Sequence, residues 1–315
     1  EPLRGADVMI DYRYDAYQKT DEKGLFYFSG IAPGRYQLEI SHPSLRFEID
    51  EPVWVEPGYM TWFGGHNAIY GGIGYYIVIG IDDYNYEPKR LSGPINDAFG
   101  VYETLFEGNV LAGLGELLIN GGDPKNEILP ATRGEIERSI GRATRMAKSE
   151  NDFLVIYFSG NSGLDFLSPW GDNGKRDEKQ LITDVQLERW VRDFPGNVTL
   201  IIDGPNSGTM ADGQSFVPFA LRRNTRYTVL ASSQDGQEAY YDKNSGNSLF
   251  TSILLEGIES RNADFIPKDR EITARELYEY AERKMEEKNL DWEEKDHQNP
   301  HIHEGYYGNT VIFRY

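Results

Sequence analysis

The chain has 315 residues and a formal net charge of −19, with 39% hydrophobic and 13% aromatic residues. A composition of this kind indicates a folded protein, long enough for two domains or for one large domain with an appendage. No basic patch is visible that could meet phosphates, and no apolar run approaches the roughly 20 residues of a membrane helix, so we expect neither nucleic-acid binding nor a membrane span.

Residues 6–55 show short alternating runs separated by turn residues, a pattern typical of a small β-sandwich. Thr20-Asp-Glu-Lys-Gly24 forms one predicted turn, and Leu25–Ser29 alternates as a strand would. Pro33-Gly34 marks a second turn, and Tyr36–Ile40 is the next predicted strand. We therefore expect an all-β domain at the start of the chain.

Three motifs of this region, Pro2-Leu-Arg-Gly-Ala6, Thr20-Asp-Glu-Lys-Gly-Leu-Phe26 and Pro33-Gly-Arg-Tyr-Gln-Leu38, resemble those of carboxypeptidase-regulatory-like (prealbumin-like) domains. The resemblance implies a β-sandwich over residues 1–57 and an extracellular or cell-surface location. In that family a strand normally precedes the first motif, and here no room is left for it. Either the sequence starts late, or a neighbouring subunit supplies the strand and builds a head-to-tail polymer.

Residues 58–74 are rich in glycine and aromatic residues and are predicted to link this domain to a second one over 75–315. The second domain opens with the apolar run Tyr75–Ile81, which has the form of a buried central strand. Asn96 and Asp97 are predicted to begin a helix that runs through Leu105.

Strands and helices alternate along the rest of the chain. The predicted strands are Glu116–Ile119, Phe153–Phe158 and Val198–Ile202. The predicted helices are Thr132–Lys148, with Thr132 and Glu135 at capping-box spacing, Leu187–Phe194, which Thr183 and Asp184 open, and Thr273–Lys288. This alternation predicts an α/β fold with a mostly parallel sheet flanked by helices.

Two predicted strands are followed by loops rich in glycine, serine and asparagine. One continues as Asp203-Gly-Pro-Asn-Ser-Gly208, and the other as Ser159-Gly-Asn-Ser-Gly163. Together with Leu91-Ser-Gly-Pro-Ile-Asn-Asp-Ala98, they resemble orthocaspases and metacaspases, caspase-like cysteine peptidases whose strands end in Asp-Ala-Cys-x-Ser-Gly and Tyr-Phe-Ser-Gly-His-Gly. The resemblance implies a caspase-like fold, with Pro205 at the position of the catalytic cysteine and Asn161 at that of the histidine. It also implies a later strand over Tyr227–Ser233 and a helix over Asn247–Leu255.

The resemblance also implies that the peptidase chemistry is lost. A cysteine peptidase needs a thiolate and an imidazole that accepts its proton, and the chain contains no cysteine at all. Asn161 can form hydrogen bonds but cannot carry a proton near neutral pH. We expect a protein without peptidase activity that binds protein partners or copies of itself in an extracellular structure.

Two other functions stay open at this point. The protein could be an active hydrolase in which Ser207 or Thr209 acts as the nucleophile, although no base is apparent beside either residue. Alternatively, it could regulate an active relative by occupying that protein's partner surface.

The resemblance suggests three residues for peptide binding. Asp203 occupies the place of an aspartate that helps to line a pocket for arginine or lysine, Ser207 lies in the same loop, and Ser159 lies in the other of the two loops. The alternative is that Asp203 merely caps the end of its strand.

Two groups of residues are candidates for metal binding. Because metacaspases commonly depend on calcium, Asp172, Asn173, Asp177 and Asp184 are candidate calcium ligands, with an ordinary solvated loop as the alternative. In His301-Ile-His303-Glu304 the two imidazoles share one side of an extended segment, but no third ligand is evident.

Overall fold

The computed structural model describes residues 4–10, 13–21, 23–29, 32, 34–42, 45–47, 53–55, 68–70, 73–86, 90–109, 112–177, 179–211, 227–265, 268, 270–304 and 311–315. Two compact units divide the chain, Glu1–Gly72 and Ile73–Tyr315. The predicted linker 58–74 contains their boundary, and its residues 58–67 and 71–72 lie outside the described part of the chain.

The first unit consists of short strands. They are β1 (Asp7–Ile10), β2 (Arg13–Lys19), β3 (Gly34–Tyr36), β4 (Leu38–Ser41), β5 (Leu45–Phe47), β6 (Val53–Val55) and β7 (Ala68–Tyr70). The pairing is antiparallel throughout, in a sheet of order β2-β1-β4 and in the pairs β3-β6 and β5-β7.

Two predictions for this unit need correction. The strand predicted over Tyr36–Ile40 is interrupted at Gln37, so that β3 and β4 join different sheets. Leu25–Ser29, which was expected to be a strand, belongs to no sheet.

The second unit alternates strands and helices. Its strands are β8 (Gly74–Gly80), β9 (Ala112–Ile119), β10 (Leu129–Pro130), β11 (Phe153–Ser159), β12 (Ser162–Gly163), β13 (Phe166–Leu167), β14 (Ile182–Thr183), β15 (Asn197–Asp203), β16 (Tyr227–Ala231), β17 (Tyr241–Asp242), β18 (Asn247–Ser248), β19 (Glu271–Thr273), β20 (His301–Glu304) and β21 (Val311–Arg314). Its α-helices are α1 (Pro94–Val101), α2 (Arg133–Met146), α3 (Asp184–Val191), α4 (Leu249–Glu259) and α5 (Ala274–Asn289). A π-helical segment, Tyr102–Glu107, continues α1, and short 3₁₀ segments cover Pro124–Asn126, Ser207–Ala211 and Glu294–Asp296.

Seven strands form the central sheet, in the order β10-β9-β8-β11-β15-β16-β20. All neighbouring strands run parallel except β20, which is antiparallel to β16. The predicted α/β fold with a mostly parallel sheet is confirmed. Among the described residues, no helix is both long enough and apolar enough to cross a bilayer.

Helices cover both faces of this sheet. Because side chains alternate along a strand, Tyr75 and Ile77 of β8 join a core on one face, and Tyr76 and Val78 join a core on the other. The first core includes buried residues of α2 and α3, and the second includes those of α1, α4 and α5. The central strands are therefore buried on both sides, which explains their continuous apolar sequence.

Threonines begin three of the helices, as the sequence predicted. Thr132, Thr183 and Thr273 each accept a hydrogen bond from the backbone N–H three residues later. Helix α1 differs, because it begins at Pro94 rather than at Asn96 or Asp97. Proline suits this first position because its missing N–H has no intrahelical partner there.

Gly80 provides a test of how closely α1 packs on the sheet. A Cβ atom at Gly80 would lie 2.3 Å from the Pro94 carbonyl oxygen and 2.6 Å from Ala98 Cβ. We expect Gly80→Ala to lower the free energy of unfolding by about 1–3 kcal/mol, measured by urea denaturation, because α1 would have to move away. Gly134→Ala is the control, since its Cβ would meet nothing closer than 3.6 Å. Equal stabilities for the two variants would contradict this packing.

Candidate functional site

The loops predicted to carry the site meet at one edge of the central sheet. Ser159 at the end of β11 is in register with Gly80 of β8 and Asp203 of β15, so these parallel strands end side by side. The Gly160 N–H donates to the Asp203 carbonyl over 3.1 Å, and the Ser162 hydroxyl donates to the Pro205 carbonyl over 2.7 Å. The loops containing Asn161 and Pro205 are therefore in direct contact.

Asn161 is held by hydrogen bonds on three of its groups. Its side-chain Nδ2 donates to the hydroxyl of Tyr86 over 2.8 Å, and its backbone N–H donates to the hydroxyl of Tyr84 over 2.7 Å. Its carbonyl accepts a bond of 3.0 Å from the Ser168 N–H. Burial raises the pKa of both tyrosines, so their hydroxyls stay protonated. The residue is fixed in place and has no group that exchanges a proton near neutral pH.

The turn after Pro205 is also tightly bonded. Asn206 adopts a φ of 56°, and its side-chain Oδ1 accepts a 2.9 Å bond from the Gly236 N–H. Its backbone N–H donates to the Gln237 carbonyl over 3.0 Å. Asparagine tolerates this left-handed conformation better than most residues, which explains its place directly after the proline.

The two alternative nucleophiles bond only to neutral groups. Ser207 is fully buried, and its hydroxyl lies 3.4 Å from that of Ser232 and 3.3 Å from that of Ser233. The Thr209 hydroxyl donates to the Asn206 carbonyl over 2.9 Å and accepts from the Asp165 N–H over 3.0 Å. Neither hydroxyl has a hydrogen bond to an imidazole or a carboxylate within the described part of the chain.

Beneath the loops, two carboxyl groups are buried in the interior. Asp97 is 0% exposed and Asp203 is 2% exposed. Asp97 Oδ2 accepts a 2.7 Å bond from the Ser159 hydroxyl and a further bond from the Ser248 hydroxyl, and Asp97 Oδ1 accepts a 2.8 Å bond from the Ser248 N–H. Asp97 is thus held by Ser159 of β11 and by Ser248, which lies directly before α4.

Asp203 is only half satisfied. Its Oδ2 accepts bonds from the Thr251 hydroxyl, at 2.6 Å, and from the Thr251 N–H, at 3.2 Å. Its Oδ1 is buried and has no hydrogen-bond partner among the described residues. An ionised carboxylate would leave this oxygen uncompensated, so the neutral acid is favoured.

The comparisons with known proteins identify the domain. The family model described as "Caspase domain" matches residues 73–305. The chain belongs to the caspase family. No protein with a curated description matches it.

Two solved structures resemble this caspase domain. Caspase-1 from Spodoptera frugiperda is 15% identical, with a TM-score of 0.50, and the match covers 78% of this chain and 91% of that one. A protein from Geobacter sulfurreducens is 14% identical, with a TM-score of 0.48, and the match covers 75% of this chain and 94% of that one. At 15% identity the likeness to caspase-1 shows the fold alone.

The residues proposed for peptide binding lie deep in the caspase domain. Asp203, Ser159 and Ser207 are 2%, 1% and 0% exposed, and their side-chain bonds are to other interior groups. They leave almost no surface for a ligand in this conformation. The alternative expectation was that Asp203 caps the end of its own strand. Its side chain instead accepts a hydrogen bond from Thr251 near the start of α4.

The acidic loop is organised by local turns. The side chains of Asp172, Asn173, Asp177 and Asp184 each accept a bond of 2.7–3.1 Å from a backbone N–H one or two residues later. Within the described ranges, no three or more His, Asp or Glu side chains form a group that could hold a metal ion. His301 and His303, which lie on β20, likewise belong to no such group among the described residues.

A cleft of about 370 Å³ lies beside the residues that follow β8 and those that begin α1. Asp82, Arg90, Ile95 and Tyr241 contribute to its lining. Asn120 Nδ2 donates to Asp82 Oδ1 over 2.7 Å, while Arg90 Nε stays 3.8 Å from Asp82 Oδ2 and its side chain is 80% exposed. The cleft therefore combines apolar surface with one carboxylate and one guanidinium that are only loosely paired.

Sequence reasoning missed Asp97, which it treated as the start of a helix. Its partner Ser248 is 151 residues away in sequence, so no local pattern reveals the contact. A chemical signal was available only for Asp203, an acid at the end of a strand that is otherwise apolar.

The buried pair should make stability depend on pH. Burial, with repulsion from Asp203, raises the pKa of Asp97 from 3.8 to about 7, and burial also raises the pKa of Asp203. Because the folded state holds the Asp97 proton more tightly than the unfolded chain, its contribution to stability is full below pH 3.8 and is lost as the pH rises through 7.

The expected result is a falling free energy of unfolding between these pH values, with a slope of up to about 1.4 kcal/mol per pH unit from this group. Urea denaturation of the native protein and of Asp97→Asn at pH 5 to 8 would measure it. The difference between the two should grow with pH in favour of Asp97→Asn, while the exposed control Asp291→Asn should follow the native protein. Parallel profiles for native and Asp97→Asn would show that Asp97 does not titrate in this range.

Proposed function

We propose that this caspase-family protein does not cleave peptides and acts as a binding or assembly component of an extracellular or cell-surface structure. One observation carries the proposal. The two loops that meet at the edge of the sheet contain Asn161 and Pro205 and contact each other through Ser162, in a chain without any cysteine. These are the positions that the family resemblance assigns to the histidine and the cysteine.

The chemistry of the edge supports loss of catalysis. Attack on a peptide carbonyl needs a nucleophile and a base within hydrogen-bond reach of each other. Pro205 has no nucleophilic side chain, and the side-chain amide of Asn161 donates a hydrogen bond to the hydroxyl of Tyr86. Ser207 could serve only if it became exposed and gained a base, because it is fully buried among hydroxyl groups.

The same edge is suited to binding a protein segment. Its loops are fixed by the hydrogen bonds of Asn161 and Asn206, and a preorganised surface loses little entropy on binding. The cleft beside Asp82 and Tyr241 lies where α/β sheets commonly bind ligands, at the carboxyl ends of the strands. The extracellular setting and the assembly role rest on the resemblance of the first 57 residues to domains of secreted proteins.

Peptide turnover provides the direct test. We expect no hydrolysis of peptides ending in Arg, Lys or Asp, with or without calcium, because no ionisable nucleophile and base meet at the edge among the residues that the structure describes. Ser207→Ala is compared with Ser245→Ala, an exposed serine in a turn. Sustained turnover that disappears in Ser207→Ala and persists in Ser245→Ala would establish a serine hydrolase and overturn the proposal.

A second experiment tests whether the two positions really form a pair. In Pro205→Cys the new cysteine is the sole thiol of the chain, so alkylation reports on it alone. Adding Asn161→His should lower its apparent pKa from the ordinary 8.5 or so by about 1–3 units, because an imidazolium nearby favours the thiolate. The measurement is the pH dependence of the iodoacetamide reaction rate. Identical profiles with and without the histidine would place the two residues out of reach of each other.

A further inference from the structure

Two asparagines of the chain are followed directly by glycine, and the fold holds them in different ways. They are Asn120 and Asn173. At an Asn-Gly sequence the glycine nitrogen can attack the side-chain carbonyl carbon of the asparagine, because glycine has no Cβ atom to block the approach. The attack closes a succinimide ring and releases ammonia. It requires the nucleophile, a base and a donor to the developing oxyanion in one place.

A turn at Asn173 brings the nucleophile and the carbonyl together. Asn173 Oδ1 accepts a 3.0 Å hydrogen bond from the Lys175 N–H, two residues later. This bond closes a turn around Gly174 and folds the asparagine side chain back toward the Gly174 nitrogen. Gly174 adopts a φ of 72°, which glycine reaches without strain, and both residues of the Asn-Gly pair are exposed.

A carboxyl group is bonded to the same nitrogen. Asp172 Oδ1 accepts the Gly174 N–H over 3.1 Å, and Asp172 is 3% exposed. In this place a carboxylate can take the proton that the nitrogen loses as it attacks. The Lys175 N–H donates to the oxygen on which negative charge develops, as a donor of an oxyanion hole does. The turn therefore provides all three elements of the reaction.

Asn120 is held in a way that opposes the reaction. Its Oδ1 accepts a 3.2 Å bond from the Asp82 N–H, and its Nδ2 donates to Asp82 Oδ1 over 2.7 Å. The N–H two residues later, that of Gly122, donates to the Ile119 carbonyl over 2.8 Å. Both ends of the Asn120 amide are thus bonded to Asp82, and the bond that folds Asn173 back has no counterpart at Asn120.

We propose that Asn173 is a site of self-catalysed deamidation, at which the protein modifies its own acidic loop. The Gly174 nitrogen forms a bond to Asn173 Cγ and passes its proton through Asp172 to the departing amide nitrogen. The bond between Cγ and Nδ2 breaks, and ammonia leaves. Water then opens the succinimide at one of its two carbonyls, which gives aspartate or isoaspartate at position 173.

The product alters a loop that supports the candidate site. Gly174 packs closely on Tyr86, since a Cβ atom at Gly174 would lie 2.7 Å from the Cγ of that ring. The Tyr86 hydroxyl in turn accepts the 2.8 Å bond from Asn161 Nδ2. A new carboxylate at position 173, or the longer backbone of isoaspartate, therefore changes the surroundings of the ring that holds Asn161.

Mass spectrometry of the aged protein follows both asparagines at once. Deamidation raises the mass of a peptide by about 1 Da, because an amide becomes an acid. The full chain is incubated near neutral pH, both folded and unfolded in urea. We expect Asn173 to react at least about tenfold faster in the folded protein than in urea, since a positioned base accelerates proton transfer by at least that factor. Asn120 should show the opposite order, with a slower reaction in the folded protein.

A substitution separates the base from the turn. Asp172→Asn keeps an oxygen that accepts the Gly174 N–H but cannot take its proton, so the rate at Asn173 in the folded protein should fall by about tenfold or more. Asp177→Asn is the matched control, because the Asp177 side chain accepts the Lys179 N–H in the same loop. It should leave the rate unchanged. Circular dichroism spectra show whether both variants fold.

A rate at Asn173 that is equal or lower in the folded protein than in urea would overturn the proposal. An unchanged rate in folded Asp172→Asn would overturn it equally. If Asp172→Asn does not fold, the comparison of the folded and unfolded native chain still decides. Neither measurement involves peptide cleavage or a partner, so the result is independent of the proposed function.

Discussion

The in-register parallel pairing of β8, β11 and β15 is the constraint on which the rest of the caspase domain depends. Gly80, Ser159 and Asp203 end these strands side by side, so the loops that follow must share one edge of the sheet. Because both faces of the strands are buried, a shift of register would move apolar side chains and leave backbone groups unpaired. The contact between the loops of Asn161 and Pro205 is a consequence of strand pairing and does not require a catalytic role for either residue.

The same register explains why polar groups are buried under this edge. Asp203 ends β15 with its side chain turned toward α4, and Asp97 reaches the same region from α1. The hydroxyls of Ser159, Ser248 and Thr251 surround the two carboxyls, so most of their oxygens are satisfied without a positive charge. Carboxyl groups in such surroundings are stable as neutral acids. The pair therefore joins β11, β15 and the starts of two helices in one polar network.

Local sequence patterns were sufficient to predict most strands and helices of the fold. Continuous apolar runs identified β8, β11 and β15, and threonine caps identified the starts of α2, α3 and α5. Long-range contacts were not predictable in this way. In the sequence, Asp97 resembled the start of a helix. In the structure it is a buried acceptor for Ser248, which lies 151 residues away. Likewise, the alternation of Leu25–Ser29 indicated a strand, but alternation reports only that one side is buried and does not supply a neighbouring strand.

Backbone pairing explains why the caspase domain can keep its geometry without the chemistry. In this domain, β11 and β15 are interior strands with neighbours on both sides, and the loops beyond them are bonded by Asn161 and Asn206. Strands and loops whose backbone groups are paired favour a fixed scaffold. The case against peptide cleavage therefore rests on the residues that this scaffold holds at the edge of the sheet, while the case for assembly rests on the resemblance of the first 57 residues to domains of secreted proteins.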